Sequence, residues 1–343
     1  MMTNRLKRIG SLAVSAALAV SLFSGCASTA SEPTGPAPTV PAEIMEEAYV
    51  DALSLELVEL EDEAVALSAA PAAVGSLLLP VASGTKTEKN AKAVIDYSNT
   101  ADGYVMVQFT AASSVKLKVI VKGPATDYQY NLTAGKWATF PLADGNGTYK
   151  VTVYEQTSGN KYATVLSKEF SVTLKDEFAP FVRPNQYVDY ANATNTVAQA
   201  QKLVTDAGAS EPLAKVKVIY EYVVNNLTYD TAKAQSVQSG YLPVLDDVLA
   251  AKKGICFDYA ALMTGMLRSQ DVPCKLVVGY AGEAYHAWVS VWTKETGWVD
   301  GAIYFDGTTW HRMDPTFASS GKSSSSIMQY IGDGSNYTTK YIY

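Results

Sequence analysis

Lys253-Gly254-Ile255-Cys256-Phe257-Asp258-Tyr259-Ala260 leads directly into Leu262, Met263, Met266 and Leu267. Gly254 punctuates the chain, and the apolar residues after it recur at helical spacing. The stretch predicts a helix that begins at or near Cys256 and ends near Arg268-Ser269. A cysteine at that point sits where the unpaired N–H groups of a first turn and the helix dipole favour a thiolate, the reactive form of the side chain.

Beyond this helix, Val272-Pro273 turns the chain. Cys274 to Tyr280 then reads as a strand, and Tyr285-His286-Ala287-Trp288-Val289-Ser290-Val291-Trp292 as another. His286, one of two histidines, lies 30 residues after Cys256. Thr308 to Thr316 brings a further strand to Asp314, 28 residues after His286, with the stretch between Thr296 and Trp310 forming a hairpin. Helix with Cys, strand with His and strand ending in Asp is an order suited to a thiol triad. Cys274, in an apolar strand, has nothing to activate it and reads as a small buried residue. A Cys256–Cys274 bridge is the competing structural role in an oxidising exterior. His311, three residues before Asp314, should point to the opposite sheet face and serve a structural or surface role. Trp288 and Trp292 share a face with His286; they either wall a substrate cleft, with Tyr285, or pack the core. The cysteines and histidines lack metal-ligand spacing, so neither a metal nor another cofactor is expected.

Upstream, Thr194 to Ala207 is helical in pattern. Glu211-Pro212 opens a second helix, with Val216, Ile219, Tyr220, Val223 and Val224 on one face. Val244 to Ala251 is a third, short helix. Residues 178–190, with Pro180 and Pro184, should cross between domains. Before them the period changes to two. Val94–Tyr97, Tyr104–Phe109, Lys116–Val121, Trp137–Leu142 and Thr148–Glu155 read as short strands separated by turns, and Ala163 to Leu174 as a last short pair. Many short strands with frequent turns predict a β-sandwich of immunoglobulin-like outline.

The motifs around Cys256, His286 and Asp314 together resemble the transglutaminase-like superfamily. They are Gly-x-Cys followed by Asp-Tyr-Ala, Val-Pro before a strand ending Gly-Tyr, His-Ala-Trp, and Trp-x-x-x-Asp-Pro-Thr. The helix ending Asn226-Leu227-Thr228-Tyr229-Asp230 is similar to the one that leads into that family's core. The resemblance covers residues 213 to 320, with the β-domain a common companion. It implies an α+β fold: a papain-like transglutaminase core, with the Cys-bearing helix on an antiparallel sheet bearing His and Asp, preceded by an all-β sandwich. The implied roles are Cys256 as nucleophile, His286 as its base and then acid, and Asp314 as the group that orients His286. The Cys256 N–H should supply one oxyanion donor, and a side chain within 238–241 the second.

The first 25 residues form a signal peptide: Arg5, Lys7 and Arg8, then an apolar run from Leu12 to Phe23 too short to span a bilayer. Phe23-Ser24-Gly25-Cys26 resembles the bacterial lipobox, in which cleavage precedes a cysteine that carries lipid. Residues 26–87 then read as a lipidated flexible tether, 88–176 as the sandwich and 177–343 as the catalytic domain. The formal net charge is −7; loss of three of the 27 basic residues with the signal leaves 24 against 34 acidic ones, or −10. Such a surface repels phosphate backbones, which argues against nucleic acid as a partner. The expected partners are the membrane, through the anchor at Cys26, and a peptide or protein substrate outside it, cell-wall peptides included. The expected reaction is attack on a peptide-like or glutamine-type amide, with hydrolysis favoured over cross-linking because water is the default acceptor. Acyl transfer to amines and a non-catalytic binding or adhesion module are the alternatives.

Overall fold

The computed structural model describes residues 77–282, 284–294, 297–300, 303–305, 310–312, 315–316, 319 and 337–343. The signal segment, Cys26 and most of the tether read over 26–87 lie outside these residues, as does Asp314.

Two four-stranded antiparallel sheets come first. One has the order β1 (Thr87–Lys89), β2 (Ala93–Asp96), β3 (Tyr104–Phe109), β6 (Trp137–Pro141); the other has β5 (Asp127–Leu132) at its edge, then β4 (Leu117–Lys122), β7 (Gly147–Ser158) and β8 (Lys161–Val172). Alternation drives the packing. In β5, Tyr128, Tyr130 and Leu132 are buried while Asp127, Gln129 and Asn131 are exposed. The inward residues of both sheets, among them Ile95, Val105, Val107, Val119, Val121, Tyr149 and Val151, join one apolar core. Ala163 to Leu174, expected as two short strands, falls largely within the single long strand β8, which follows β7 through two register shifts.

The linker binds the sandwich to the second half. Phe178 packs on Trp292 at 4.7 Å between ring centroids and Phe181 on Trp298 at 5.3 Å. Trp298 Nε1 donates to Glu177 at 3.1 Å, and Lys275 Nζ lies 3.8 Å from the Trp298 ring centroid. At a second junction, Tyr128 and Tyr130 of β5 meet Tyr187 and Tyr343.

The second half contains α1 (Thr194–Asp206), α2 (Pro212–Asn226), α3 (Thr231–Ser236), α4 (Leu245–Ala251) and α5 (Cys256–Arg268). Pro212 takes the first turn of α2, where a missing N–H costs nothing. Asp246 of α4 accepts hydrogen bonds from Asn195 N and Thr196 N, satisfying two of the orphan donors at the start of α1. All thirteen residues of α5 are buried, which matches a helix apolar nearly all round. It packs against α1, α2 and α4 and against two strands of an antiparallel sheet ordered β13 (Gly297–Asp300), β12 (Ala284–Thr293), β11 (Cys274–Ala281), β16 (Tyr337–Ile342). A separate hairpin pairs β14 (Ile303–Phe305) with β15 (Trp310–Arg312).

The last residue of α5 holds these layers together. Arg268 donates from Nε to Cys274 O at 2.8 Å, from Nη1 to Arg183 O at 2.7 Å and from Nη2 to Tyr343 O at 2.6 Å. Burial pushes its guanidinium down to about 10, and three main-chain oxygens replace the lost water.

Candidate active site

Cys256 is the first residue of α5, and the backbone before it explains why the helix starts there. Lys252 closes α4 in the left-handed region, and Lys253–Gly254 form β10, which pairs in parallel with β9 (Thr228–Tyr229), Tyr229 opposite Gly254. Asp230 N donates to Gly254 O at 2.9 Å, and Lys253 pairs with Asp230 at 3.0 Å. Gly254 is required by contact: a Cβ there would lie 2.5 Å from the Asp258 Cβ. Ile255 is extended, so helical geometry begins at Cys256, whose main-chain N–H has no acceptor among the described residues.

Asp258 anchors this N-terminus. It is fully buried, and one of its oxygens accepts from Ile255 N at 2.9 Å, as the third residue of a helix does for its cap. The same oxygen accepts from Lys233 Nζ at 2.7 Å, and the other from Tyr241 OH at 2.6 Å. Lys233 Nζ also donates to Tyr241 OH at 2.6 Å. An unpaired carboxylate two residues from Cys256 would oppose the field of the helix end; Lys233 offsets that charge. Burial, then the Asp258 charge, raise the Tyr241 phenol well above its ordinary value.

His286 lies on β12, the strand against which α5 packs, paired with Gly279 of β11. A β-bulge falls between Val278 and Gly279 where β16 joins β11, and a Cβ on Gly279 would lie 2.0 Å from Thr338 O. Cys256 is 3% exposed and His286 0%. Trp288, 1% exposed, stacks behind His286 with ring centroids 6.2 Å apart and meets Tyr337 edge-on at 5.1 Å. Of the two roles open to Trp288, its burial fits core packing. Trp292 packs on the linker instead. Tyr285 is half-buried and 5.3 Å from Tyr280, which is exposed; burial first, then neighbouring tyrosines and the sulfur of Cys256, raise its phenol.

Cys274 and Cys256 are both free thiols, so the bridge considered from sequence does not form. Cys274 is fully buried, and burial pushes its thiol from 9.0 up to about 11. Asp314 lies outside the described residues. The residues after it, Pro315 and Thr316, are buried in a helical turn, and Ser319 donates to Leu227 O at 2.6 Å and shares a 3.0 Å hydrogen bond with Tyr259 OH of α5.

The expected second oxyanion donor within 238–241 meets an obstacle. The Tyr241 hydroxyl is held by Asp258, and the exposed Gln238 amide donates to Ser236 O at 3.0 Å. The Ser239 hydroxyl is buried without a partner among the described residues. Lys233 was not singled out in the sequence; nothing in its helix-sized, polar surroundings links it to a position 25 residues away.

Comparison with known proteins bears on these features. Residues 198–315 match the family described as the transglutaminase-like superfamily. The uncharacterized protein YebA of Bacillus subtilis is 28% identical over 104 residues, a match spanning 25% of this chain and 14% of that protein's length. A solved structure of a candidate cysteine protease from Cytophaga hutchinsonii aligns over 62% of this chain and 78% of its own, at 16% identity and a TM-score of 0.30. Red sea bream transglutaminase aligns over 62% of this chain and 48% of its own, at 14% identity and a TM-score of 0.27. Residues 198–315 of this chain carry a transglutaminase-like core, behind a sheet-rich N-terminal region.

Proposed function

We propose that this chain is a thiol enzyme that opens peptide-like or glutamine-type amides through an acyl-enzyme on Cys256, with water as the acceptor. The observation that carries this reading is the placement of Cys256 on the first turn of a buried helix that packs on the strand bearing His286. The Cys256 thiolate attacks the amide carbonyl carbon, and His286 takes the thiol proton and returns it to the departing amine. Asp314 is assigned, from sequence alone, to hold the His286 tautomer. Water then adds to the thioester and frees Cys256. Water is the default acceptor because it is present in vast excess, and an amine competes only where a cleft binds it and excludes water. Tyr285 and Tyr280 are proposed to contact the substrate, since they line the sheet end beside His286 and keep part of their surface open. The signal segment and the lipobox-like Phe23-Ser24-Gly25-Cys26 support a location outside the cell on a lipid anchor, within reach of wall peptides and surface proteins.

The test supplies wall-derived peptides and, separately, a glutamine peptide with a labelled primary amine, using Cys256→Ala as control. Cysteine-dependent release of amine or ammonia supports the hydrolase. Amine incorporation that outruns hydrolysis replaces it with acyl transfer. No turnover of any amide by a protein whose Cys256 is alkylated readily supports a binding module.

A further inference from the structure

Lys340 stands at a break in the sheet that carries His286. Along β16, Tyr341 pairs with Val278 and Thr339 with Gly279, which leaves Lys340 as an extra residue with no partner across the strand. A bulge of this kind interrupts the alternation of side chains and re-aims the extra one. Gly279 pairs in turn with His286, so the bulge and His286 share one rung of the sheet, two strand spacings or about 10 Å apart. We propose that Lys340 is a specificity-determining residue of this site, donating to a carboxylate that the acyl donor carries near its scissile amide, so that acidic peptides are the preferred donors; this rests on the acyl-enzyme reading above.

Three further observations carry the assignment. The Lys340 ammonium lies 5.7 Å from the ring centroid of Tyr285, the residue before His286, and 5.4 Å from that of Tyr341. These rings attract the cation through their faces and leave its three N–H donors unused. The side chain is exposed, and its ammonium forms neither an ion pair nor a hydrogen bond among the described residues. Tyr280, opposite Tyr285 and 5.3 Å from it, is 39% exposed, so the end of the sheet beside the ammonium is open to a ligand. The whole chain has a formal charge of −7, and an uncommitted cation here reverses that sign locally and draws in the anionic part of a substrate.

β16 is also an edge strand, where a bulge and a lysine guard against edge-to-edge pairing. A glutamate serves that purpose as well as a lysine does, so reversing the charge separates the two roles.

The test reads the charge preference of Cys256 in the full chain, by intact mass and peptide mapping. Two acyl donors of matched length, mono-4-nitrophenyl glutarate and 4-nitrophenyl pentanoate, are paired with two alkylating agents, iodoacetate and iodoacetamide. Each rate is divided by the rate with free cysteine. Lys340→Gln should lower both anionic-to-neutral ratios about two- to fivefold, and Lys340→Glu should lower them further. Salt at about 0.5 M should narrow these differences. Lys202→Gln, the same change of charge at an exposed position of α1, should leave both ratios at the wild-type value. Ratios indifferent to the Lys340 variants overturn the assignment, and so does an equal fall in Lys202→Gln, because net charge alone then acts. If the esters acylate Cys256 and the ratios do not move, only the role of Lys340 fails. If wild-type Cys256 alkylates but neither ester acylates it, the acyl-enzyme reading fails and the donor preference falls with it.

Discussion

Replacing Lys233 by Met isolates the charge that compensates Asp258. Asp258 has no exposed surface, and its ion pair with Lys233 spans 2.7 Å, with the Lys233 side chain 27% exposed. At an effective dielectric of about 20 the attraction is about 6 kcal/mol, most of which offsets the cost of burying the carboxylate. Removing one partner of a buried pair costs about 3–5 kcal/mol. Here Tyr241 OH and Ile255 N still donate to Asp258, and Lys233 is partly solvated, so the expected loss is about 2–3 kcal/mol. With a urea slope on the order of 2–3 kcal/mol per molar, the midpoint should fall by about 1 M. Adding Asp258→Asn to Lys233→Met removes the stranded charge but keeps an oxygen for Ile255 N, and should restore roughly half of the loss. Urea melts of the two single variants and the double variant read this coupling directly. A Lys233→Met protein within about 0.5 kcal/mol of wild type, or strictly additive losses in the double variant, would refute the reasoning that these groups form one compensated unit.

Cys274 should resist alkylation: with its thiol at about 11, only about one molecule in a thousand is thiolate at pH 8, and mass mapping should find label on Cys256 alone. The same shift has a sign for stability. The unfolded thiol loses its proton near 9.0 while the folded one holds it to about 11, so stability falls as pH rises through that window, by about 2–3 kcal/mol for this group. Melts at pH 8 and pH 10.5 should show a smaller alkaline loss in Cys274→Ala than in wild type. Gly279→Ala, whose methyl would meet Thr338 O at 2.0 Å opposite His286, should cost about 1–3 kcal/mol and slow acylation of Cys256; a fully active, equally stable variant contradicts the close-approach argument. Cys26→Ala should abolish incorporation of a metabolic lipid label and leave the thermal midpoint of the folded region unchanged; wild-type protein that takes up no label ends the anchor proposal.

Strong local periodicity made much of the fold legible. β3 spans Tyr104–Phe109 as expected, and α5 begins at Cys256 and ends at Arg268 as the spacing of Leu262, Met263, Met266 and Leu267 implied. Weak or long-range signals were lost. β5 has Asp, Gln and Asn on its outer face, and its core side is built from Tyr128 and Tyr130, a pattern easily taken for the loop after Gly123-Pro124. β16 joins β11 from more than 50 residues downstream, through pairing that no local pattern encodes. The same limit applied to the site. Cys256 and His286 stood out because cysteines and histidines are scarce in this chain. Lys233, Tyr241 and Arg268 are common residue types whose importance comes from what burial sets beside them. Tyr229 lay in a recognised motif, yet only the β9–β10 register brings it to Gly254.

The central claim is that Cys256, activated by His286, is acylated by carbonyl substrates. The most direct measurement is the mass of the full chain, rapidly quenched after mixing with an isotopically labelled acyl donor near pH 7, in wild type, Cys256→Ala and His286→Ala. The account predicts one thioester, mapped to Cys256, absent in Cys256→Ala and formed about 10²–10⁴-fold more slowly in His286→Ala. An adduct that persists in Cys256→Ala, or an acylation rate indifferent to His286, would contradict it.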